Sequence, residues 1–237
     1  MKLLAIDASG QVASVALAQD KKILAEYSVN FKKTHSQTLL PMIDAILRMT
    51  ETETREIEGI AVSKGPGSFT GLRIGGATAK GLCNALKVPV AGISTLEMLA
   101  ANYLGAKELI VPLMDARRDQ VYAAAYRVEN DRTETVIAEN ACAVSEIVEK
   151  LNRMNEPVVL LGDGVSVNRD YLEKNLSCPK RFAPAHMSMQ RAGSLAVLGE
   201  AAFENGRICS GTELQLEYLR MSQAERERME RTQNSER

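Results

Sequence analysis

The chain has no tryptophan, aromatic residues are only 4% of it, and histidine occurs twice, at His35 and His186. With a net charge of −1, its overall composition gives no sign of the basic or stacking surface by which proteins bind nucleic acid unaided. The two histidines lie far apart and form no His-x3-His pair, which argues against a resident metal. Its four cysteines, Cys83, Cys142, Cys178 and Cys209, include no Cys-x-x-Cys pair. They read as reduced thiols of a cytoplasmic protein. No apolar run nears the roughly 20 residues of a membrane span. The apolar run after Lys2 meets a charge at Asp7, too early for a signal peptide. What remains is a globular chain of 237 residues, 45% hydrophobic, long enough for one large domain or two small ones.

What the chain does have is a glycine stretch, Gly65-Pro66-Gly67-Ser68-Phe69-Thr70-Gly71-Leu72-Arg73-Ile74-Gly75. A short apolar run, Ile60–Ser63, precedes it, and an amphipathic segment, Phe69–Leu86, follows. That is strand, turn and helix, with Ser68 placed as N-cap. It is not a P-loop, because Gly71 is followed by Leu72 and Arg73 rather than Lys and Ser or Thr. It is not a dinucleotide fingerprint, because Thr70 stands where a glycine is required. Glycine inside a helix costs about 0.5–1 kcal/mol against alanine. Gly71, Gly75, Gly76 and Gly81 therefore point to close approach by another backbone, with Gly71, Gly75 and Ala79 one turn apart.

Signals recur along the chain. A strand over Leu3–Ile6 ends at Asp7, and Val12–Ala18 and Ile23–Val29 form a hairpin. His35–Met49 is helical, with Leu39, Leu40, Ile43, Ile46 and Leu47 on its apolar side and Pro41 in its first turns. On the second helix Leu72, Gly75, Gly76, Ala79 and Leu82 share a stripe. Ser94-Thr95-Leu96-Glu97 is a capping box opening a helix that ends at Gly105. The order then restarts: a strand over Leu109–Met114 ending at Asp115, a strand over Gln120–Val128, a turn over 129–132, a strand over Thr133–Ala138, a helix from Ser145, a strand over Val158–Leu161 and a glycine turn, Gly162-Asp163-Gly164. Helical segments over Ser188–Gly206 and Glu213–Arg231 close the chain, and Ala224–Arg237 reads as a solvated Glu/Arg helix. Two β-rich α/β halves in the same order, each led by a strand ending in Asp, predict the α/β actin-like ATPase (ASKHA) architecture. The halves would be 1–106 and 107–237, the second carrying the helical tail.

In that architecture Asp7, Ser9, Asp115, Gly162 and Gly164 are candidates for a nucleotide cleft, against the simpler reading of strand-end turns. Arg117 and Arg118 either bind an anion or sit in a solvated turn. His35, flanked by Thr34 and Ser36, has no nearby carboxylate motif, so it caps its helix or packs at an interface.

Gly65–Gly75 resembles the signature of the bacterial tRNA threonylcarbamoyladenosine biosynthesis protein TsaB (YeaZ) family. The likeness extends through Leu4–Ser9, His35-Ser36 with Leu39-Leu40-Pro41, Ser94–Glu97, Asp115–Arg118 before Val121-Tyr122, and Gly162–Gly164. One departure is Leu216-Glu217-Tyr218-Leu219-Arg220, where the family has Pro-x-Tyr-Leu-Arg, leaving the seating of that end open. The resemblance implies an actin-like fold and a non-catalytic scaffold or activator. Its partner would be the paralogue TsaD, which holds the metal-binding histidine pair and transfers threonylcarbamoyl to N6 of the adenosine beside the tRNA anticodon. The ATPase TsaE would join them. ATP or ADP would enter only with the complex, tRNA would be met only through it, and the chain alone could form a homodimer. The family's contact is a bundle of the first two helices. It implies an interface from His35, Leu39, Leu40, Ile43, Ile46, Leu47, Phe69, Gly71, Leu72, Gly75, Gly76, Ala79 and Leu82, and a Gly75→Leu variant that folds but does not dimerise. The rival readings are a self-sufficient actin-like ATPase or a peptidase, the latter needing a nucleophile–base pair or a metal that the sequence does not display, and a tRNA-binding module, which the near-neutral charge disfavours.

Overall fold

The computed structural model describes residues 1–129 and 132–220. Strands β1 (Lys2–Asp7), β2 (Ala13–Gln19) and β3 (Lys22–Val29) lead into α1 (His35–Met49). Then come β4 (Gly59–Gly65), α2 (Phe69–Leu86), β5 (Val90–Ser94) and the short α3 (Thr95–Ala100). The series repeats with β6 (Leu109–Asp115), β7 (Gln120–Glu129), β8 (Arg132–Ala143), α4 (Val144–Met154) and β9 (Val158–Leu161). It continues through α5 (Asp163–Val167), α6 (Arg169–Asn175), β10 (Lys180–Phe182) and α7 (Ala192–Glu204).

The two five-stranded sheets have one topology. The first runs β3-β2-β1-β4-β5 and the second, read from its far edge, β8-β7-β6-β9-β10. In each, three strands form an antiparallel meander and two more join parallel to its first strand. The repeated order read from the sequence is therefore a repeated sheet.

Side chains alternate across a strand, so each sheet has two faces to cover. In β1, Leu4 and Ile6 face α1 and α2, with Leu39, Met42, Ile43 and Ile46 packed on them. Leu3 and Ala5 face the other way, where Ala16, Ala61 and Ala91 make a shallow floor for Leu195 and Ala196 of α7. The floor is so close that a Cβ on Gly199 would lie 2.6 Å from that of Ala61. In the second sheet, Leu109, Val111 and Leu113 pack with α4 and α6. Its opposite face, with Ile110, Met114 and Tyr126, is covered by Leu96, Leu99 and Ala100 of α3.

The helices after β5 and β10 thus divide unexpectedly. The helix of the first half covers the second sheet, and α7 packs on β1, β2 and β4 of the first. The expectation that everything after residue 107 belongs to the second half is corrected accordingly. The reason is that the small-residue face of the first sheet needs more cover than Met98 and Ala101 at its edge supply, and α7 provides the rest.

Two further expectations change. Gly162-Asp163-Gly164 opens helix α5 rather than a bare turn, and α6 and β10 were not foreseen. Residues 213–220 are not helical. Their apolar positions alternate, Leu214 buried and Leu216 half-buried between exposed neighbours, which suits an extended segment. The remainder of that expected helix, the Ala224–Arg237 tail and the center of the turn over 129–132 lie outside the described residues.

Candidate functional site

Two surfaces emerge: a cleft between the halves and the outward side of α1 and α2. The cleft, about 320 Å³, is lined by the β1–β2 turn (Ser9–Gln11), the start of α2 (Gly67–Phe69), Met114–Arg117, Tyr122 and Asp163. Tyr218, Leu219 and Arg220 complete its wall.

Asp7 ends β1 but is wholly buried. Its Oδ1 accepts the Ser9 N–H at 3.1 Å and the Ser9 hydroxyl at 2.6 Å, while Oδ2 has no hydrogen-bond partner among the described residues. Burial pushes its carboxyl above the usual range, and the Ser63 and Ser9 hydroxyls offset this only in part. His35, the first residue of α1, donates from Nε2 to the Gly10 carbonyl at 2.9 Å, and Nδ1 is buried without a partner among the described residues. The histidine thus fastens the β1–β2 turn. Gln190, 1% exposed, also lies against this turn with its amide unpartnered. Nothing in the sequence marks it, because a lone Gln before a helix carries no pattern.

The counterpart turn is wetter. Asp115 Oδ1 accepts the Arg117 N–H at 2.7 Å, and Oδ2 pairs with the Arg117 guanidinium at 3.2 Å. Arg117, Arg118 and Asp119 are all left-handed, at φ 64°, 55° and 58°. The Arg pair therefore belongs to a tight exposed turn. Asp163 reaches back to accept the Asp115 N–H at 3.0 Å. Its pKa is raised, by burial first and by the Asp115 charge as well. Gly162 and Gly164 do not line the cleft; a Cβ on either would run into the Leu113 backbone, at 2.2 and 2.9 Å. Their small size serves packing on β6. Of the five cleft candidates, the structure places Ser9 and Asp115 at the cleft, buries Asp7 behind Ser9, and sets the two glycines aside.

The helix pair also sorts the interface candidates. Leu39, Ile43, Ile46, Leu47, Leu72 and Ala79 are buried in the first half's own core. Gly71 packs so closely that a Cβ would stand 2.0 Å from the Ala8 carbonyl oxygen, and one on Gly75 3.3 Å from the Ala8 Cβ. Gly76 leaves room for Leu216 at 3.0 Å. These nine residues are corrected from docking to packing positions, because their faces are already filled. The expectation for Gly75→Leu is corrected too, since the larger side chain would collide within the monomer. Leu82 is half-buried on the same core, and Phe69 is half-buried beneath Tyr218, ring centroids 4.8 Å apart. Leu40 alone of the thirteen is open, at 58% exposure.

The outward side carries other residues. Thr70, Ala77, Gly81 and Ala85 of α2 are exposed, with Ile74 and Thr78 half-exposed between them. They form an uncharged small-residue stripe at helical spacing. On α1, which packs beside α2, Leu40 and Met49 stand exposed. The signal was available: residues off the apolar stripe yet uncharged.

Among the described residues no group of three or more His, Cys, Asp or Glu is placed to hold a metal ion. No described helix is long and apolar enough to cross a membrane.

A duplicated β-meander with parallel additions and a cleft between the copies defines an actin-like ATPase (ASKHA) fold. The same architecture underlies the match to component A of (R)-2-hydroxyglutaryl-CoA dehydratase from Acidaminococcus fermentans, TM-score 0.50 at 13% identity over 85% of this chain and 98% of that one. A family model for TsaD, tRNA N6-adenosine threonylcarbamoyltransferase, matches residues 22–226. The protein named tRNA threonylcarbamoyladenosine biosynthesis protein TsaB of Bacillus subtilis is 35% identical over 228 residues, 95% of this chain and 96% of its own. TsaB of Escherichia coli is 36% identical over 174 residues, 69% and 72% of the two chains. The solved YeaZ of Pseudomonas aeruginosa superposes with a TM-score of 0.78 at 26% identity, over 92% and 99%. The chain belongs to the TsaB (YeaZ) family, within the wider family of TsaD.

Proposed function

We propose that this chain takes part in threonylcarbamoyladenosine modification of tRNA as a non-catalytic subunit that dimerises with a TsaD-type transferase. The observation carrying this reading is the uncharged stripe Thr70, Ile74, Ala77, Thr78, Gly81 and Ala85 on α2, with Leu40 exposed on the neighbouring α1. Small residues let a second helix approach closely, and a surface without charge loses little when dried. The partner's helices pack on this stripe, and that contact holds the partner's cleft in working order. A TsaE-type ATPase joins the pair and brings ATP or ADP with it, the chain supplying no cofactor of its own. tRNA is contacted through the assembly, in the cytoplasm, and the same stripe pairs two copies of this chain when TsaD is absent.

The test is co-elution with TsaD followed by a threonylcarbamoyl-transfer assay with and without this chain. Transfer is expected only with both proteins. The double variant L40D/A77E changes two exposed positions and is expected to stay folded while losing co-elution. Retained co-elution, or ATP or peptide turnover by this chain alone, would overturn the proposal.

A further inference from the structure

After α7 the chain does not leave the molecule. Cys209 forms an isolated antiparallel bridge with Val90, two bonds of 2.9 Å, so the segment begins as an extra partner at the edge of the first sheet. Gly211 follows against Cys83, and Leu214 is buried beside Gly92 and in the core under α1 and α2. Leu216 then fills the space over Gly76. The Glu217 N–H donates to the Lys64 carbonyl at 2.7 Å, and its carboxylate meets the Lys64 ammonium at 2.5 Å. Its carbonyl occupies the place where Gly65, at φ 122°, would carry a Cβ, 2.2 Å away. Tyr218 lies on Phe69, whose ring carries the Arg73 guanidinium 3.9 Å from its centroid. Up to this point every contact is with the first half.

Arg220 crosses over. Its Nη1 donates to the carbonyls of Ala116 and Arg117 in the turn of the second half, the latter at 3.0 Å. These carbonyls belong to a turn with three consecutive left-handed residues, Arg117–Asp119, and the Arg117 carbonyl also accepts the Gln120 N–H at 3.3 Å. The segment therefore spans the mouth of the cleft, with Tyr218, Leu219 and Arg220 as part of its wall.

We propose that residues 209–220 are a built-in strap that closes the cleft between the halves, with Arg220 as its fastening to the second half. Nothing in this depends on the TsaD partnership. Release of the strap removes that part of the wall, so its release and the widening of the cleft are one event. The glycines Gly65 and Gly76 are the groove in which the strap lies, a role separate from the outward stripe of α2. Leu216, the residue that departs from the family's proline, makes the contact with Gly76.

Hydrogen–deuterium exchange of the full chain tests this. In the unaltered protein the Glu217 amide is expected to be protected, since it is bonded to Lys64. Arg220→Ala is expected to speed exchange about tenfold or more, both at Glu217 and in residues 116–120, with β1 and β6 amides unchanged as the sign of an intact fold. Arg220→Lys, which retains a single donor head, should fall between. A second variant, Tyr218→Ser, loosens the strap from the first-half side and is expected to speed exchange in 116–120 although Tyr218 does not bond that turn. Exchange at 116–120 unchanged in both variants would overturn the strap, as would a Glu217 amide that is unprotected from the start.

Discussion

The two halves share a sheet and differ in what covers the turn after its first strand. In the first half Asp7 and Ser9 lie under the start of α2, where Gly71 and Gly75 let the helix sit directly on Ala8. In the second half the equivalent helix is short and broken between α5 and α6, and Asp115 stands beside exposed Arg117. One duplicated motif has become a dry structural joint, the other a wet turn clasped by Arg220. The lesson is that the Asp at the end of each first strand marks the same place in the topology but not the same surroundings. What it does follows from the helix laid over it. The same division explains why, among the described residues, an 18-residue glycine-bearing helix is found only on the first half: its inner face needs close approach to the β1–β2 turn.

The sharpest way to break this comparison is Gly71→Leu. The side chain would meet the Ala8 carbonyl rather than a flexible group, so a loss of about 3 kcal/mol or more is expected in urea unfolding. A loss under 1 kcal/mol would mean that α2 can lift off the turn. Next is a neighbouring pair on α1. Leu39→Ala, at 1% exposure, should cost about 2–5 kcal/mol, whereas Leu40→Ala should stay within about 0.5 kcal/mol. Similar costs for the two would show that the monomer's helix face has been drawn wrongly.

The third is a slope with pH. A carboxyl whose pKa is higher folded than unfolded holds its proton more tightly when folded. Its contribution therefore worsens as pH rises from the ordinary Asp value of 3.8 through the raised folded value, and the penalty is complete above it. Asp7→Asn removes this share, so its stability relative to the parent should improve with rising pH over that window. Asp163 adds a slope of the same sign from the second half. Thermal melts from pH 3 upward that show no difference between the parent and Asp7→Asn would place Asp7 in contact with water. The smallest effect is expected at Gly81→Ala, where a Cβ meets nothing within 4 Å. A gain of about 0.5–1 kcal/mol should follow, with TsaD association weakened in parallel if the stripe is the docking surface.

Much of the fold was legible. The restart of strand, hairpin, helix and glycine turn after Leu109 reappears as the second sheet in the same order, because alternation and helical period are local properties. Ser68 caps α2 as its spacing requires, its Oγ accepting from Gly71 N–H at 3.3 Å. The Ser94 cap is also present, but Glu97 does not turn back to complete the box. Its carboxylate accepts the Thr133 hydroxyl at 2.5 Å, from the other half. The candidate site was less legible. A glycine row says that something lies close; it does not say whether that is another protein or the chain's own Ala8 and Leu216.

The sequence by itself determined most element types and their order through β9, the duplication and the family, since each rests on patterns within some twenty residues or on motifs matched in series. It missed α6, β10 and the extended course of residues 213–220. Only the tertiary structure decided which helix face is spent on the core, that α3 and α7 cover each other's sheets, that Asp7 is dry, and that Leu214–Arg220 returns to the cleft. Those outcomes depend on which apolar face is left without cover once every other element is placed. Contacts between residues as far apart as Gly76 and Leu216, or Arg117 and Arg220, leave no periodic trace in the chain.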